Sequence, residues 1–233
     1  MIRNYIERLI SYLKKDSFKF DQNVPSSYII SYFTSLFIIW CYSLLYIRRK
    51  GIYMIHPSSH IRCKSLFKFK KNLFIDRDCY INALSYNGIQ LGKNVIIGKN
   101  TTIECSGSLR LLGKGLLVGD NVGLGTHCFY GCAGGITIGS NTIIGNYVSF
   151  HSENHNYHAP NILIKKQGVS HKGIIIGENC WIGAKVTILD GAIIGNGCVI
   201  AAGAVVRGSF PDNVIIGGIP AKIIKDRTVN VQF

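Results

Sequence analysis

The stretch "IIIGENCWIGAKVTILDGAIIGNGCVIAAGAVV" (residues 174–206) repeats itself every six residues. Ile176, Ile182, Ile188, Ile194, Ile200 and Val206 stand six apart, and a glycine directly follows Ile176, Ile182 and Ile194. Four places after the aliphatic residue comes a small or β-branched side chain: Cys180, Val186, Cys198, Ala204. A period of six fits neither an amphipathic helix nor a flat alternating strand. It fits a hexapeptide β-helix, in which short strands form the faces of a triangular prism and one aliphatic residue per face points inward. Three rungs close one coil, so Ile176–Ile182–Ile188 and Ile194–Ile200–Val206 read as two successive turns.

The register extends toward the N-terminus through Ile138, Ile144 and Phe150, through Leu112, Val118 and Leu124, and back to Leu91, Ile97 and Ile103. It slips between Ile103 and Leu112 and between Tyr130 and Ile138, and a long excursion separates Phe150 from Ile176. The spacing predicts a solenoid over 91–217 with a protruding loop at 152–173. Open coil ends expose strand edges and apolar core. Residues 52–90, with Ile75 and Ile81 in weaker register, are therefore expected to be an irregular capping coil, and 218–233, where Pro220 breaks the pattern, a tail. The glycine after the aliphatic residue is expected to ease the corner backbone. Cys79, Cys128, Cys180 and Cys198 share one inward position, and no CxxC pair or disulfide spacing occurs. The eight cysteines thus read as packed free thiols of a reducing cytosol.

The 233 residues carry a formal charge of +14, unevenly spread. Residues 1–72 hold 13 Lys/Arg against 3 acids, and the remainder 13 against 9. Such a basic third suits an anionic neighbour. No zinc-finger, helix-turn-helix or RNA-binding signature appears, so nucleic acid is not expected. Residues 1–51 form a separate segment. Its start reads as a basic amphipathic helix, with Ile2, Ile6, Leu9, Ile10 and Leu13 at helical spacing. "YIISYFTSLFIIWCYSLLYI" (28–47) follows, about long enough to span a bilayer. Eight of those twenty residues are Ser, Thr or Tyr, and basic residues flank both ends. A monotopic hairpin or interfacial helix on the cytoplasmic side is favoured over a full span, with a core or oligomer-facing helix as the alternative.

The predicted loop opens with "HSENHNYH" (151–158), three histidines and a glutamate in eight positions. An insertion the scaffold does not need usually carries function. Two chemistries compete. His127, His151 and His155 could supply imidazoles to a zinc ion, or one histidine could serve as a general base near neutral pH. On an extended segment 151, 153 and 155 share a side. Glu153 could therefore orient the His155 ring and stabilise its imidazolium. His158 and His171 read as further loop residues.

Taken together, "NHNYHAP", "QGVSHKGIIIGENCWIGAKVTILDGAIIGNGCVIAAGAVV" and "PDNVIIGGIPAKIIK" resemble the left-handed β-helix hexapeptide acyltransferases. The likeness is to bacterial sugar O-acetyltransferases of the galactoside/maltose type and those that modify O-antigen and capsule. It covers about residues 88–225 and leaves 1–72 outside. The resemblance implies an all-β left-handed parallel β-helix, with His155 as general base in direct transfer from acetyl-CoA. Trp181 would wall the acetyl and pantetheine channel, and the Ala184 amide would donate to the thioester oxygen. Ala202 would leave room for the pantetheine arm, and Arg207, Lys222 and Lys225 would meet the nucleotide phosphates. It further implies no metal and a homotrimer with active sites between neighbouring prisms. The acceptor would be a cell-surface polysaccharide or its lipid-linked precursor. Separately, the charge and hydrophobicity of residues 1–51 lead to the expectation that the protein sits at the inner face of the plasma membrane.

One departure concerns the acceptor. The galactoside enzymes hold their sugar through polar residues on the coil before the loop. Here that coil reads "GLGTHCFYGCAGG" (123–135), with Gly125 near the expected Asn. His127 and Tyr130 remain as polar alternatives, beside His151 and His158. A γ-class carbonic-anhydrase-like hydratase on the same solenoid, a sugar N-acetyltransferase and a non-catalytic membrane-docking scaffold are the competing readings.

Overall fold

The structure, a computed structural model, describes residues 2–14, 17–47 and 53–227. The run Arg48-Arg49-Lys50, the expected boundary at 51/52 and the end of the tail (228–233) lie outside the described residues, as do the side chains of Ile2 and Leu13. Two compact units divide the chain at Arg48/Arg49.

The second unit is a left-handed parallel β-helix with three faces. Its first face stacks Tyr53–Ile55 on the later halves of Phe67–Ile75 and Ile89–Ile97. Isolated bridges at Gly123 lead on to Ile143–Ile144, Trp181–Ile182, Val199–Ile200 and Val214–Gly218. The second face runs from His60–Arg62 through Tyr80–Asn82, Thr102–Glu104, Phe129–Gly131, Ser149–His151 and Thr187–Leu189 to Val205–Val206. The third runs from the earlier halves of Phe67–Ile75 and Ile89–Ile97 through Leu116–Val118, Ile136–Ile138, Ile174–Ile176 and Ile193–Ile194 to Ser209–Phe210. The six-residue period becomes register: Ile138, Ile176 and Ile194 are partners on the third face, Ile144, Ile182 and Ile200 on the first, and Phe150, Ile188 and Val206 on the second.

These side chains fill the prism, and each buried Ile contributes on the order of 2 kcal/mol. The four repeat-position cysteines are all buried, and each thiol donates to a carbonyl of the following coil: Cys79 to Gly98, Cys128 to Gly145, Cys180 to Gly195 and Cys198 to Pro211, at 3.1–3.3 Å. Burial pushes the Cys180 thiol up to about 11.

Four expectations change. The glycine after the aliphatic residue serves corner torsion at Gly125 (φ 68°) but not at most other rungs. Gly139, Gly177 and Gly183 have no positive φ, but a Cβ on them would lie 2.5–2.7 Å from backbone atoms of the next coil. The left-handed position comes two residues later, where Asn94, Asn121, Asn141 and Asn179 adopt φ of 55–60°. Asparagine tolerates that conformation, and its amide then links coils: Asn72 to Asn94, Asn94 to Asn121 and Asn121 to Asn141. Leu112 occupies no rung; residues 105–115 bulge out around a Ser108–Leu111 bridge and rejoin at Leu116. Residues 53–90 are not irregular but stack in parallel register from Tyr53 onward. At the other end the tail turns at Ile219-Pro220 and returns as Ala221–Asp226, antiparallel on Val214–Gly218, covering that strand edge.

The first unit contains two helices, Ile2–Lys14 and Ser26–Tyr46. The amphipathic helix forms as expected and is tied to the chain that follows it. Glu7 pairs with Arg3 and accepts the Phe20 N–H, and Ser11 accepts that of Phe18. Ser26–Tyr46 is one uninterrupted helix without a hairpin, about 31 Å long at 1.5 Å per residue. It is long and apolar enough to cross a membrane. Three of its hydroxyls are satisfied internally: Thr34, Ser35 and Ser43 each donate to the carbonyl four residues back. Tyr28 stacks on Tyr32 near one end and Tyr42 on Tyr46 near the other.

Candidate active site

The 152–173 loop leaves the prism at the corner between the second and third faces. Its neck is a two-stranded antiparallel ribbon, Asn154–His155 against Val169–Ser170. Buried Ser152 anchors the start, accepting the Gly134 N–H and donating to the Gly131 carbonyl. Asp190 anchors the end by accepting the N–H groups of Lys172 and Gly173. Within the loop, Gln167 bonds both the N–H and the carbonyl of Ala159 and the carbonyl of Ile162, so the excursion satisfies its own backbone. His155 is exposed on this ribbon and makes no hydrogen bond among the described residues.

Glu153 does not orient the His155 ring. Its carboxylate lies 2.5 Å from Nε2 of His171, with both side chains partly buried. His171 sits directly across the ribbon, whereas His155 is two residues along the same strand, roughly 7 Å away.

Beside the neck, the second face carries a hollow of about 210 Å³ lined by Glu104, Phe129, Gly131, Ala133, His151, Ser152 and Glu153. Strand register builds it. Glu104, Gly131 and His151 are partners on successive rungs, and the missing side chain at Gly131 lets the Phe129 ring lie over it, 3.0 Å from where a Cβ would stand. The Phe129 ring lies 5.5 Å from that of His151, and Asn82 donates to Glu104 at 2.7 Å. Burial lowers the His151 pKa from its usual value, favouring the neutral ring. A larger hollow of about 400 Å³ runs along the third face over Lys68, Gln90, Leu117 and Thr137, and the loop does not line it.

The remaining predicted acceptor residues separate. Tyr130 is fully buried, because alternation turns Phe129 and Gly131 outward and Tyr130 into the prism. It stacks on Phe150, donates to the Leu124 carbonyl at 2.7 Å, and burial holds its phenol well above the usual range. It is core, not acceptor site. His127 is a left-handed corner residue (φ 54°) between the first and second faces, stacked on Tyr147 and 3.3 Å from Asn100. That corner is not the one carrying His151 and His155, so the three imidazoles do not converge within one chain. Among the described residues no group of three or more His, Cys, Asp or Glu is placed to hold a metal. His158 is exposed in the loop against Tyr157.

Across the section from the loop, Trp181 stands on the first face, 57% exposed, between Ile143 and Val199. Ala184 and Ala202 follow at the corner of the first and second faces, on successive coils. Their side chains are exposed methyls, and neither backbone N–H donates a hydrogen bond among the described residues. Asn146, one coil below, is the same. Such N–H groups at a rigid corner are preorganised donors for a developing oxyanion or an amide carbonyl. Arg207 lies at the second–third corner of the last coil, while Lys222 and Lys225 lie on the strand returning beside the first face, so these three do not share one edge. Within one prism the second face separates His155 from Trp181 and the open N–H row. Sequence reading missed Glu104, Phe129 and the partner role of His171. The first two were reachable by continuing the register from His151 through Gly131; the third needed the loop's fold.

Comparison with known proteins places these features in context. Residues 173–208 match the family model described as bacterial transferase hexapeptide (six repeats). The putative lipopolysaccharide biosynthesis O-acetyl transferase WbbJ of Escherichia coli K12 is 34% identical over 166 residues, 67% of this chain and 81% of that protein. The putative colanic acid biosynthesis acetyltransferase WcaF of the same strain is 34% identical over 140 residues, 60% of this chain and 70% of its own. Among solved structures, the D94N mutant of AntD, an N-acyltransferase from Bacillus cereus in complex with dTDP and coenzyme A, superposes with a TM-score of 0.57 at 23% identity. The match covers 71% of this chain and 88% of AntD, and it supports the fold.

Proposed function

Since this chain belongs to the bacterial hexapeptide-repeat acyltransferases, we propose that it moves the acetyl group of acetyl-CoA onto a sugar hydroxyl of a cell-surface polysaccharide or its lipid-linked precursor. The observation that carries the reading is the division of chemistry within one prism. The exposed His155 and a small hollow lie at one corner, and an open row of backbone donors beside Trp181 lies at another. A homotrimer would bring the loop corner of one protomer against the first face of the next and make one site from the two halves.

In that site His155 takes the proton of the acceptor hydroxyl as its oxygen attacks the thioester carbonyl, a step usually worth about 10²–10⁴-fold. The Ala184 N–H donates to the oxygen that becomes negative. His155 then returns the proton to the departing thiolate, so the transfer balances without a covalent enzyme intermediate. Ala202 keeps the pantetheine path clear, while Arg207, Lys222 and Lys225 meet phosphates from separate edges of the groove. The acceptor ring sits in the Glu104–Phe129–His151 hollow, where an aromatic face and hydrogen-bonding groups suit a pyranose. The names of the WbbJ and WcaF relatives support an oxygen acceptor in polysaccharide assembly.

The Ser26–Tyr46 helix inserts in the membrane, with its tyrosine pairs at the two interfaces, and holds the enzyme at the cytoplasmic face. Fractionation tests this part; full-length protein that stays soluble without detergent would remove it. The activity is tested by free-CoA release from acetyl-CoA across a glycan panel, with His155→Ala beside wild type. Turnover should fall 10²–10⁴-fold with acetyl-CoA binding retained. A variant with full turnover would exclude His155 as the base.

A further inference from the structure

We infer that Glu153 and His171 form a clamp that fixes the backbone on which His155 stands, making both positioning residues for the transfer proposed above, on which this inference rests. The register carries it. Asn154 pairs with Ser170 and His155 with Val169, so the next opposed pair toward the prism is Glu153 and His171. The Asn156 N–H bonds the Gly168 carbonyl. In an antiparallel ribbon hydrogen-bonded and non-hydrogen-bonded pairs alternate, so 154/170 is of the bonded kind and 153/171, like 155/169, of the other kind. At such pairs the Cα atoms come closest, about 4.5 Å, and side chains meet. The carboxylate and imidazole do meet, at 2.5 Å, with side chains about one-third and one-sixth exposed.

Ser152 ties the outgoing side of the clamp to the scaffold, and the returning side is tied as well. The His171 carbonyl accepts from Lys114 Nζ at 3.1 Å, and the next two N–H groups are held by Asp190. Lys114 and Asp190 belong to coils before and after the loop. Glu153 therefore fastens the outgoing strand, just past its anchor at Ser152, to the returning strand held by Lys114 and Asp190, two residues before His155. The Gln167 network holds the loop tip, and the ribbon's backbone pairing with Asn156 holds the outer neck, so this pair is the side-chain link at its base.

The test is a charge-exchange series in the full-length chain: Glu153→Gln, His171→Asn, and the exchanged pair Glu153→His with His171→Glu. Two readouts are followed: deuterium exchange of residues 153–157, and free-CoA release from acetyl-CoA with a panel of p-nitrophenyl glycosides. The single variants should lose exchange protection in 153–157 while the solenoid keeps its own. They should lower kcat roughly 10- to 100-fold with KM for acetyl-CoA unchanged, and the exchanged pair should restore both. Single variants with wild-type protection, or an exchanged pair as impaired as either single, would overturn the clamp. A rise in acceptor KM at unchanged kcat would also overturn it, since Glu153 would then be contacting substrate. If no glycoside is turned over, the exchange readout decides alone. Full activity in His155→Ala would instead sink the base assignment and leave the clamp's exchange result standing.

Discussion

Two corners of the same prism treat the same backbone position in opposite ways. At the corner joining the third face to the first, the N–H two places after the inward residue is capped from the next coil. Lys93 donates to Asp120, Asp120 to Ser140, Glu178 to Asn196 and Asn196 to Asp212. Joining the first face to the second, the corresponding N–H groups of Asn146, Ala184 and Ala202 have no such partner among the described residues. A row of polar side chains closes one corner for stability. The other corner keeps its N–H groups unengaged, as the proposed site requires, because an N–H already engaged inside the chain cannot donate to a substrate.

Substitutions should separate these roles. The largest effect is expected at the closed corner for Gly177→Val, whose Cβ would lie 2.6 Å from the Gly195 carbonyl carbon and 2.7 Å from the Asn196 nitrogen. Rigid backbone cannot yield, so the upper coils should fail to assemble and soluble folded protein should be lost. A well-folded variant, by circular dichroism and melting, would refute close coil stacking. Next comes the open corner. Ala202→Trp should raise KM for acetyl-CoA at least about tenfold, roughly 1.4 kcal/mol, with an unchanged melting temperature. A shift in melting with KM unaltered would reverse the assignment of the two corners.

Asp212→Ala should do the opposite: about 1 kcal/mol of stability lost with the Asn196 cap, measured by denaturant titration, and unaltered acetyl-CoA kinetics. The smallest effect concerns acid. The Lys93 N–H, with Lys70 nearby, lowers the Asp120 pKa below its ordinary value. A carboxylate held lower in the folded state stabilises above its unfolded pKa and loses that contribution as pH falls through the folded one. Asp120→Asn should therefore flatten stability against pH only at and below the ordinary carboxylate range. NMR titration of Asp120 giving an elevated pKa would contradict the cap.

Much of this was legible in advance because a solenoid repeats one local solution. The spacing of Ile176, Ile182 and Ile188 set the rungs, and the excursion after Phe150 marked the loop. Legibility failed where one residue satisfies two rules. Tyr130 is polar enough to suggest a sugar contact, yet its parity on the strand sends it inward. Glycine after the aliphatic residue suggested torsional freedom, which Gly125 uses, whereas at Gly139, Gly177 and Gly183 the distance to the next coil explains it. The polar count of residues 28–47 includes Thr34, Ser35 and Ser43, whose hydroxyls bond the carbonyls four residues back, a pairing that composition does not display.

By itself the sequence determined the period, and hence the prism, its inward column of aliphatic and thiol side chains and the place where the loop departs. These follow from local chemistry repeated at fixed spacing. Tertiary structure alone decided who meets whom across coils and across the loop neck: Glu153 with His171, Glu104 with His151 over Gly131, and which corner keeps its N–H groups open. Those pairings join residues 18 to 47 apart in the chain, and contacts at that range exist only once register and loop path are set in space.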